Sequence, residues 1–328
     1  MVSSLYLLPN ALSQIGHDVS VLSDVKQSGK TKDGVLWLVE SDMEWLTKSE
    51  FSFDFIILNR QTYGDCFDEI RAKHRLLWVH DMVHGGWIVK PEKARTLSAT
   101  IFMSEYSRET WTTYYKDLPK RSFIIPNGVD RKLFSPDNKD LDTMIFFSAP
   151  NRGLEHLPII LETARAATGR NLKMTAFSNM GKLHPQEKDK FAEVYRNVKA
   201  RGINLSDPIP QRKLAAFVNR AGLMVKPNDY PETCSNTTLQ CLAAGTPVVT
   251  SPIGADKEWI KTGFNGAITK HSLQDGPLFI MEMCRGVVNI LKDEKIHRKL
   301  IKNAPKTKRL CTWEEIGFLW HKALKRLF

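Results

Sequence analysis

The residues best suited to chemistry are gathered in one segment, Pro231-Glu-Thr-Cys-Ser-Asn-Thr-Thr-Leu-Gln-Cys-Leu-Ala-Ala-Gly-Thr-Pro-Val-Val-Thr250. An acid, Glu232, lies in a loop that leads into a helix expected over 237–244. Ser235, Asn236 and Thr237 are residue types that cap helix amino ends. Such an end presents unpaired N–H groups and the positive pole of the helix dipole, which suits a diphosphate. Glu232, just ahead of it, can accept hydrogen bonds from sugar hydroxyls. Gln240, eight residues further on, falls inside the helix, where its amide can bond a ribose. On residue chemistry alone, an ordinary capped helix with a surface acid fits this pattern equally well.

These groups need a scaffold, and the pattern around them is α/β. Short β-rich runs alternate with helical stretches, which argues for parallel sheets. Strands are expected at 18–22, 35–39, 53–58, 76–80, 100–103 and 123–125, with helices at 4–15 and 105–115. The turn-forming cluster Ile125-Pro-Asn-Gly-Val-Asp130 comes next, then a polar stretch, Ser135-Pro-Asp-Asn-Lys-Asp140. A second series has strands at 143–148, 172–177, 222–225 and 247–250, and helices at 154–167, 185–199, 212–219, 237–244 and 277–292. Two series with a punctuated joint predict two doubly wound domains, 1–134 and 135–310, facing a cleft. Ligands of such sheets bind beyond the carboxyl ends of the strands. The segment 311–328 predicts a terminal helix that packs back on the first domain. Its apolar face comprises Ile316, Leu319, Trp320, Ala323, Leu324, Leu327 and Phe328.

Composition narrows the function classes. The chain has 328 residues, 42% hydrophobic and 25% charged, the profile of a globular protein. No apolar run approaches the ~18 residues that span a bilayer. The first ten residues lack the basic region of a secretory signal. The five cysteines, scattered and odd in number, form no C-x-x-C pair and suggest neither zinc nor a disulfide framework. A cytoplasmic location in a reducing compartment is expected, and no metal. The net charge of +11 is concentrated near the end: from Arg285 to Phe328 there are twelve Lys/Arg against four Asp/Glu. This segment is open to peripheral contact with acidic membrane lipid, although solvated helix faces are the commoner outcome. No aromatic-basic RNA motif or zinc finger supports nucleic-acid binding.

The segment 231–250 resembles the signature of glycosyltransferase family 4, in which an E-x7-E motif precedes an Ala-x-Gly-x-Pro-Val-Val strand entry. Further pieces resemble the family in the same order. Leu76-Leu-Trp-Val-His-Asp81 resembles the strand whose terminal His-Asp faces the cleft. Ile101-Phe-Met-Ser-Glu-Tyr-Ser-Arg108 resembles a capped helix start. Ile125-Pro-Asn-Gly-Val-Asp130 with Phe134 resembles the interdomain joint. Ala149-Pro-Asn-Arg-Gly-Leu-Glu155 resembles the strand-to-helix loop with a basic residue before Gly. Ile253-Gly-Ala-Asp-Lys-Glu258 and Thr262-Gly-Phe-Asn-Gly266 resemble two supporting turns. The resemblance covers nearly the whole chain from Leu7 on. It begins inside the first helix, so the first domain is expected to be incomplete at its N-terminus, without the family's opening strand and Gly-rich loop.

This resemblance implies a GT-B fold, two Rossmann-like domains around a cleft. It implies transfer of a sugar from a nucleotide-sugar donor, UDP- or GDP-linked, to a hydroxyl of a glycan or lipid-linked acceptor. Retention of configuration and no metal or cofactor are implied by the same resemblance. It assigns Glu232 to the donor sugar's hydroxyls, Arg152 to the β-phosphate, His80 to the donor sugar or acceptor hydroxyl, and Ser235, Asn236 and Thr237 to the donor. Gln240 stands where the family has a second glutamate for the ribose; it keeps an acceptor oxygen and loses the charge. Asn127 and Gly128 mark the hinge beside the cleft, Gly128 being expected to supply a positive-φ turn. A second basic residue upstream of Arg152 is replaced by Phe146, Phe147 and Ser148. Lys226 is a stand-in for that missing charge at the donor, or else a solvated surface lysine. Gln240, the missing Arg and the missing strand leave a second hypothesis, a catalytically impaired binding protein on the same fold.

Overall fold

The computed structural model describes residues 2–48, 50–60, 66–83, 89–183, 185–187 and 190–328. The chain divides into two compact units, Met1–Gly128 with Cys311–Phe328, and Val129–Leu310. The boundary falls at Gly128, ahead of the expected 134. Val129 and Phe134 are buried in the core of the second unit, so the residues beyond the Pro-Asn-Gly segment pack with the later strands and helices of the chain.

In the first unit, β1 (Ser20–Leu22), β2 (Gly29–Lys30) and β3 (Leu36–Leu38) form one small sheet, ordered β1-β3-β2. A second, parallel sheet holds β4 (Phe53–Asn59), β5 (Ala72–Trp78), β6 (Ala99–Phe102) and β7 (Ser122–Ile124) in chain order. Among the described residues β1 and β4 each pair on one side only, so the strands make two sheets rather than one. β2 breaks the parallel rule by pairing antiparallel to β3. A glycine and a lysine carry no periodicity, which is why no strand is expected there. β6 is buried along its whole length, as a parallel strand covered on both faces must be.

The helix Trp313–Lys325 lies against the helix Val2–Gln14, where a Cβ on Gly317 would sit 3.0 Å from Ala11 Cβ. Thr312 and Glu315 form a reciprocal cap at its start. Ile316, Trp320, Ala323, Leu324 and Leu327 are buried, with the Trp320 ring 5.2 Å from that of Trp78. Leu319 and Phe328, assigned to the same face by their spacing, are exposed. The contact stripe is narrower than the apolar stripe.

The second unit is one six-stranded parallel sheet ordered β10-β9-β8-β11-β12-β13. Its strands are β8 (Asp140–Phe146), β9 (Lys173–Phe177), β10 (Asn204–Ser206), β11 (Ala221–Lys226), β12 (Val248–Thr250) and β13 (Gly266–Ile268). β10 and β13 escape a sequence reading because each is a three-residue edge strand without an apolar run. The expected helix 185–199 is a short 3-10 turn at Pro185–Glu187 and a helix at Ala192–Ala200, with residues 188 and 189 outside the described set. One face of the sheet is covered by the helices Leu157–Thr168 and Pro277–Lys292, the other by Gln211–Arg220 and Asn236–Ala243, and each face has its own apolar core. The strand order reverses between β8 and β11, and ligands of doubly wound sheets bind beyond the carboxyl ends of the strands at such a reversal. Among the described residues no helix is long and apolar enough to cross a membrane.

Candidate functional site

The site is built where β8 and β11 end. β11 reads Ala-Gly-Leu-Met-Val-Lys and is buried throughout, including its final lysine. An ammonium in that position costs several kcal/mol unless it is paired. Lys226 is 0% exposed, and its Nζ donates to a Glu232 carboxylate oxygen, to Ser235 Oγ at 2.6 Å and to Asp256 Oδ2 at 2.7 Å. Three N–H bonds meet three acceptors, which is all an ammonium can donate. Asp256 is equally enclosed, 2% exposed, and also accepts from Thr238 Oγ1 at 2.8 Å and Thr250 Oγ1 at 3.3 Å. Burial pulls the Lys226 ammonium down from its ordinary range, and the carboxylates of Asp256 and Glu232 outweigh it, holding it above.

Glu232 has the open edge of this cluster, its side chain 25% exposed. Burial would raise its carboxyl, but Lys226 and then Arg152 hold it below the usual carboxylate range. It is therefore an ionised acceptor at neutral pH. Its backbone is fixed too. The Glu232 carbonyl accepts from the Ala255 N–H at 2.9 Å. Gly254 sits so close that a Cβ there would lie 2.6 Å from the Glu232 nitrogen. Three residues later Ser235 caps the helix Asn236–Ala243, its Oγ accepting from Thr238 N.

Arg152 arrives from the loop after β8. The 3-10 turn Pro150–Arg152 ends at Gly153 in the left-handed region, φ 91°, and a Cβ on Gly153 would collide with the Pro227 carbonyl. Glycine thus lets the β8 loop close on the β11 loop. The Arg152 guanidinium lies 3.4 Å from the centre of the Tyr230 ring. Its Nη1 is buried and finds no acceptor among the described residues. A buried guanidinium nitrogen left unpaired is costly in a finished fold and suits an anion.

Known proteins resemble this chain in part of its sequence and in its fold. Residues 146–281 match the family model Glycosyl transferases group 1. A stretch of 167 residues, 49% of this chain, is 28% identical to the MMP alpha-(1->4)-mannosyltransferase of Mycolicibacterium hassiacum, and it spans only 39% of that protein. The structure of Anabaena HepE in complex with UDP and glucose superposes with a TM-score of 0.73 at 14% identity, covering 98% of this chain and 96% of that one. Sucrose-phosphate synthase from Thermosynechococcus elongatus gives 0.72 at 17% identity, covering 99% and 92%. The chain has the fold of the GT-B glycosyltransferases.

Within that GT-B fold, Glu232, Arg152, Ser235, Asn236, Thr237, Gln240 and Lys226 all fall at the carboxyl ends of β8 and β11 or in the helix after β11. Thr237 and Gln240 are half-buried. Two expectations need correction. Lys226 is no solvated surface lysine: it is enclosed, and its three donors are engaged by protein. Gly128 does not adopt a positive φ. Glycine is needed there because a Cβ would lie 2.8 Å from the Trp313 backbone. Asn127 beside it is buried.

His80 belongs to the first unit, just beyond β5. Its ring lies 4.1 Å from that of Trp78, and burial, reinforced by the charge of Arg60, pushes its pKa down to about 3. Arg60 itself pairs with Asp81. The chain also carries an Asp-x-Asp spacing at Asp140-Leu-Asp142, the spacing of a metal motif. It opens β8, at the amino end of the sheet, where Asp142 pairs with Arg170 at 2.7 Å and Asp140 accepts from Thr143 at 2.6 Å. These carboxylates are structural and lie at the opposite end of the strands from Glu232.

Sequence reasoning missed Asp256, which it left in a supporting turn, and Tyr230. One signal was available for the first. A lysine that closes an otherwise apolar strand predicts a buried charge, and a buried charge predicts a carboxylate partner.

Proposed function

We propose that the chain moves a sugar from a nucleotide-activated donor to a hydroxyl acceptor, a glycan or a lipid-linked molecule, with retention and without a resident metal. One observation carries the reading. A buried, unpaired Arg152 Nη1 and an ionised Glu232 meet beside the amino end of the helix Asn236–Ala243, at the point where the sheet order reverses. In the donor complex the diphosphate takes Arg152 and the N–H groups of the first helical turn, and Glu232 accepts from the sugar hydroxyls. The anomeric C–O bond to the β-phosphate breaks as the acceptor oxygen bonds to the anomeric carbon from the same face, and the acceptor's proton passes to the departing phosphate oxygen. Negative charge then grows on the leaving nucleoside diphosphate, where fixed donors stabilise it most. Gln240 bonds the ribose. His80, neutral in the working range, offers a hydrogen bond rather than a charge to a sugar or acceptor hydroxyl.

The HepE complex with UDP and glucose supports UDP as the nucleotide, and the mannosyltransferase relative supports a hexose. The test is a thermal-shift screen against UDP-, GDP- and ADP-sugars, followed by turnover assays of the best binder with wild type and Glu232→Ala. The expected result is stabilisation by one nucleotide class and a loss of turnover of roughly ten- to a hundredfold in the variant, the worth of a hydrogen bond to a charged group. Full activity in Glu232→Ala would contradict the role given to this acid. Gln240 and the single basic residue after β8 favour a second reading, a binding protein without catalysis. Tight donor binding with no hydrolysis or transfer to any acceptor would select it.

A further inference from the structure

We propose that Lys226 and Asp256 are positioning residues that hold the Glu232 carboxylate at the donor sugar. This rests on the donor-site reading above and assigns to Lys226 a task other than direct contact with the donor. Glu232 lies in a loop with no regular structure, on a side chain with three rotatable bonds. Left alone, such a carboxylate samples many directions, and a hydrogen bond to a sugar hydroxyl would first have to select one. The ammonium at the end of β11 removes that freedom. It is carried on a central strand of the sheet, between β8 and β12, and it takes one oxygen of Glu232 while the exposed edge remains.

Asp256 completes the arrangement from behind. It is tied to Thr238 in the helix after the loop and to Thr250 at the end of β12, so it fixes the ammonium from two further elements. Ser235 is the fourth corner, capping the helix while accepting from Lys226. Ser235 keeps its helix cap to Thr238 N without the lysine, so the task of the buried cation is the acid meant for the sugar and not the helix end meant for the diphosphate. The charged groups around Glu232 are Lys226, Arg152 and, through Lys226, Asp256. Removing Lys226 leaves Glu232 with Arg152 as its remaining cationic neighbour and places two carboxylates close together. Its carboxyl must then titrate at higher pH.

The experiment compares wild type with Lys226→Met and with the paired variant Lys226→Met/Asp256→Asn, which leaves no buried charge unpaired if the single change fails to fold. Three readouts are taken: the titration of the Glu232 side-chain carboxyl by carbon NMR, the affinity for UDP alone, and kcat and KM for the preferred UDP-sugar against pH. The expected result is an upward move of the Glu232 titration and of the acidic limb of kcat/KM, a fall in kcat/KM of at least about tenfold, and UDP affinity within about threefold of wild type. In a Glu232→Gln background, Lys226→Met should add less than about threefold, because its effect passes through the acid. An unmoved Glu232 titration overturns the inference. So does a loss of UDP affinity as large as the loss of turnover, which marks a purely structural lysine. A wild-type chain that binds no nucleotide sugar overturns the function reading instead, and the NMR titration, which needs no substrate, tells the two failures apart.

Discussion

At the scale of single residues, the site is a problem in placing charge. Arg152 differs from the other cation at this site, Lys226, in having a buried donor that finds no acceptor among the described residues. Arg152→Ala should weaken UDP binding by roughly ten- to a hundredfold, and Arg152→Lys should recover only part of it, since an ammonium lacks the flat two-pronged donor set. Calorimetric titration with UDP measures both. Glu232 adds a pH dependence of definite sign. Its folded-state carboxyl lies below its ordinary value, so the stability it contributes is present above the ordinary carboxylate range and lost as pH falls through the lowered value. For His80 the ring is neutral when folded down to a pH of about 3. Stability linked to it is whole above the ordinary imidazole pKa and declines as pH drops from there toward 3. Proton NMR should show the His80 ring unprotonated at pH 5; a midpoint near 6.5 would contradict the burial described for it.

At the scale of elements, two glycines decide whether the loops can meet. Gly153 brings the β8 loop onto Pro227, and Gly254 brings the β12 loop onto the Glu232 backbone. Gly254 has φ 69°, and its Cβ position lies 2.6 Å from Glu232 N and 2.8 Å from Glu232 O. Gly254→Ala should therefore cost about 1–3 kcal/mol in urea denaturation and lower turnover with it, because relief of the clash moves Glu232. The helix Trp313–Lys325 shows the converse, an element held by large groups. Trp320 is fully buried against Trp78, and Trp320→Ala should destabilise the first unit by about 3–5 kcal/mol.

At the scale of the whole molecule, differential scanning calorimetry should separate the two units by their ligands and variants. UDP at a hundred times its Kd should raise the transition of Val129–Leu310 by about 2.7 kcal/mol of added stability, and Trp320→Ala should lower the other transition. The positive charge belongs to this scale as well. Most of the apolar face of the last helix is buried in the first unit, while Leu319 and Phe328 stay exposed, so charge is the main attraction left for a lipid surface. Co-sedimentation with phosphatidylserine vesicles should show weak binding that disappears at high salt. Binding that survives high salt would mean that apolar side chains such as the exposed Leu319 and Phe328 enter the lipid as well.

The chain's sequence determined on its own what depends on neighbours along the chain. The capped helix start at Ser235, the acid ahead of it, the Arg-Gly turn at 152–153 and the parallel strands with long apolar runs are all local patterns of hydrogen bonding, backbone freedom and burial. The edge strands β10 and β13 were not legible, because a three-residue strand paired on one side has no period to read. Only the tertiary structure decided what Lys226 does. Its role depends on Glu232, Ser235 and Asp256, which are contributed by the loops after β11 and β12 and converge because those strands are neighbours. Burial, pairing and the charge state that results from them are properties of strand order, and strand order is not written in any one segment.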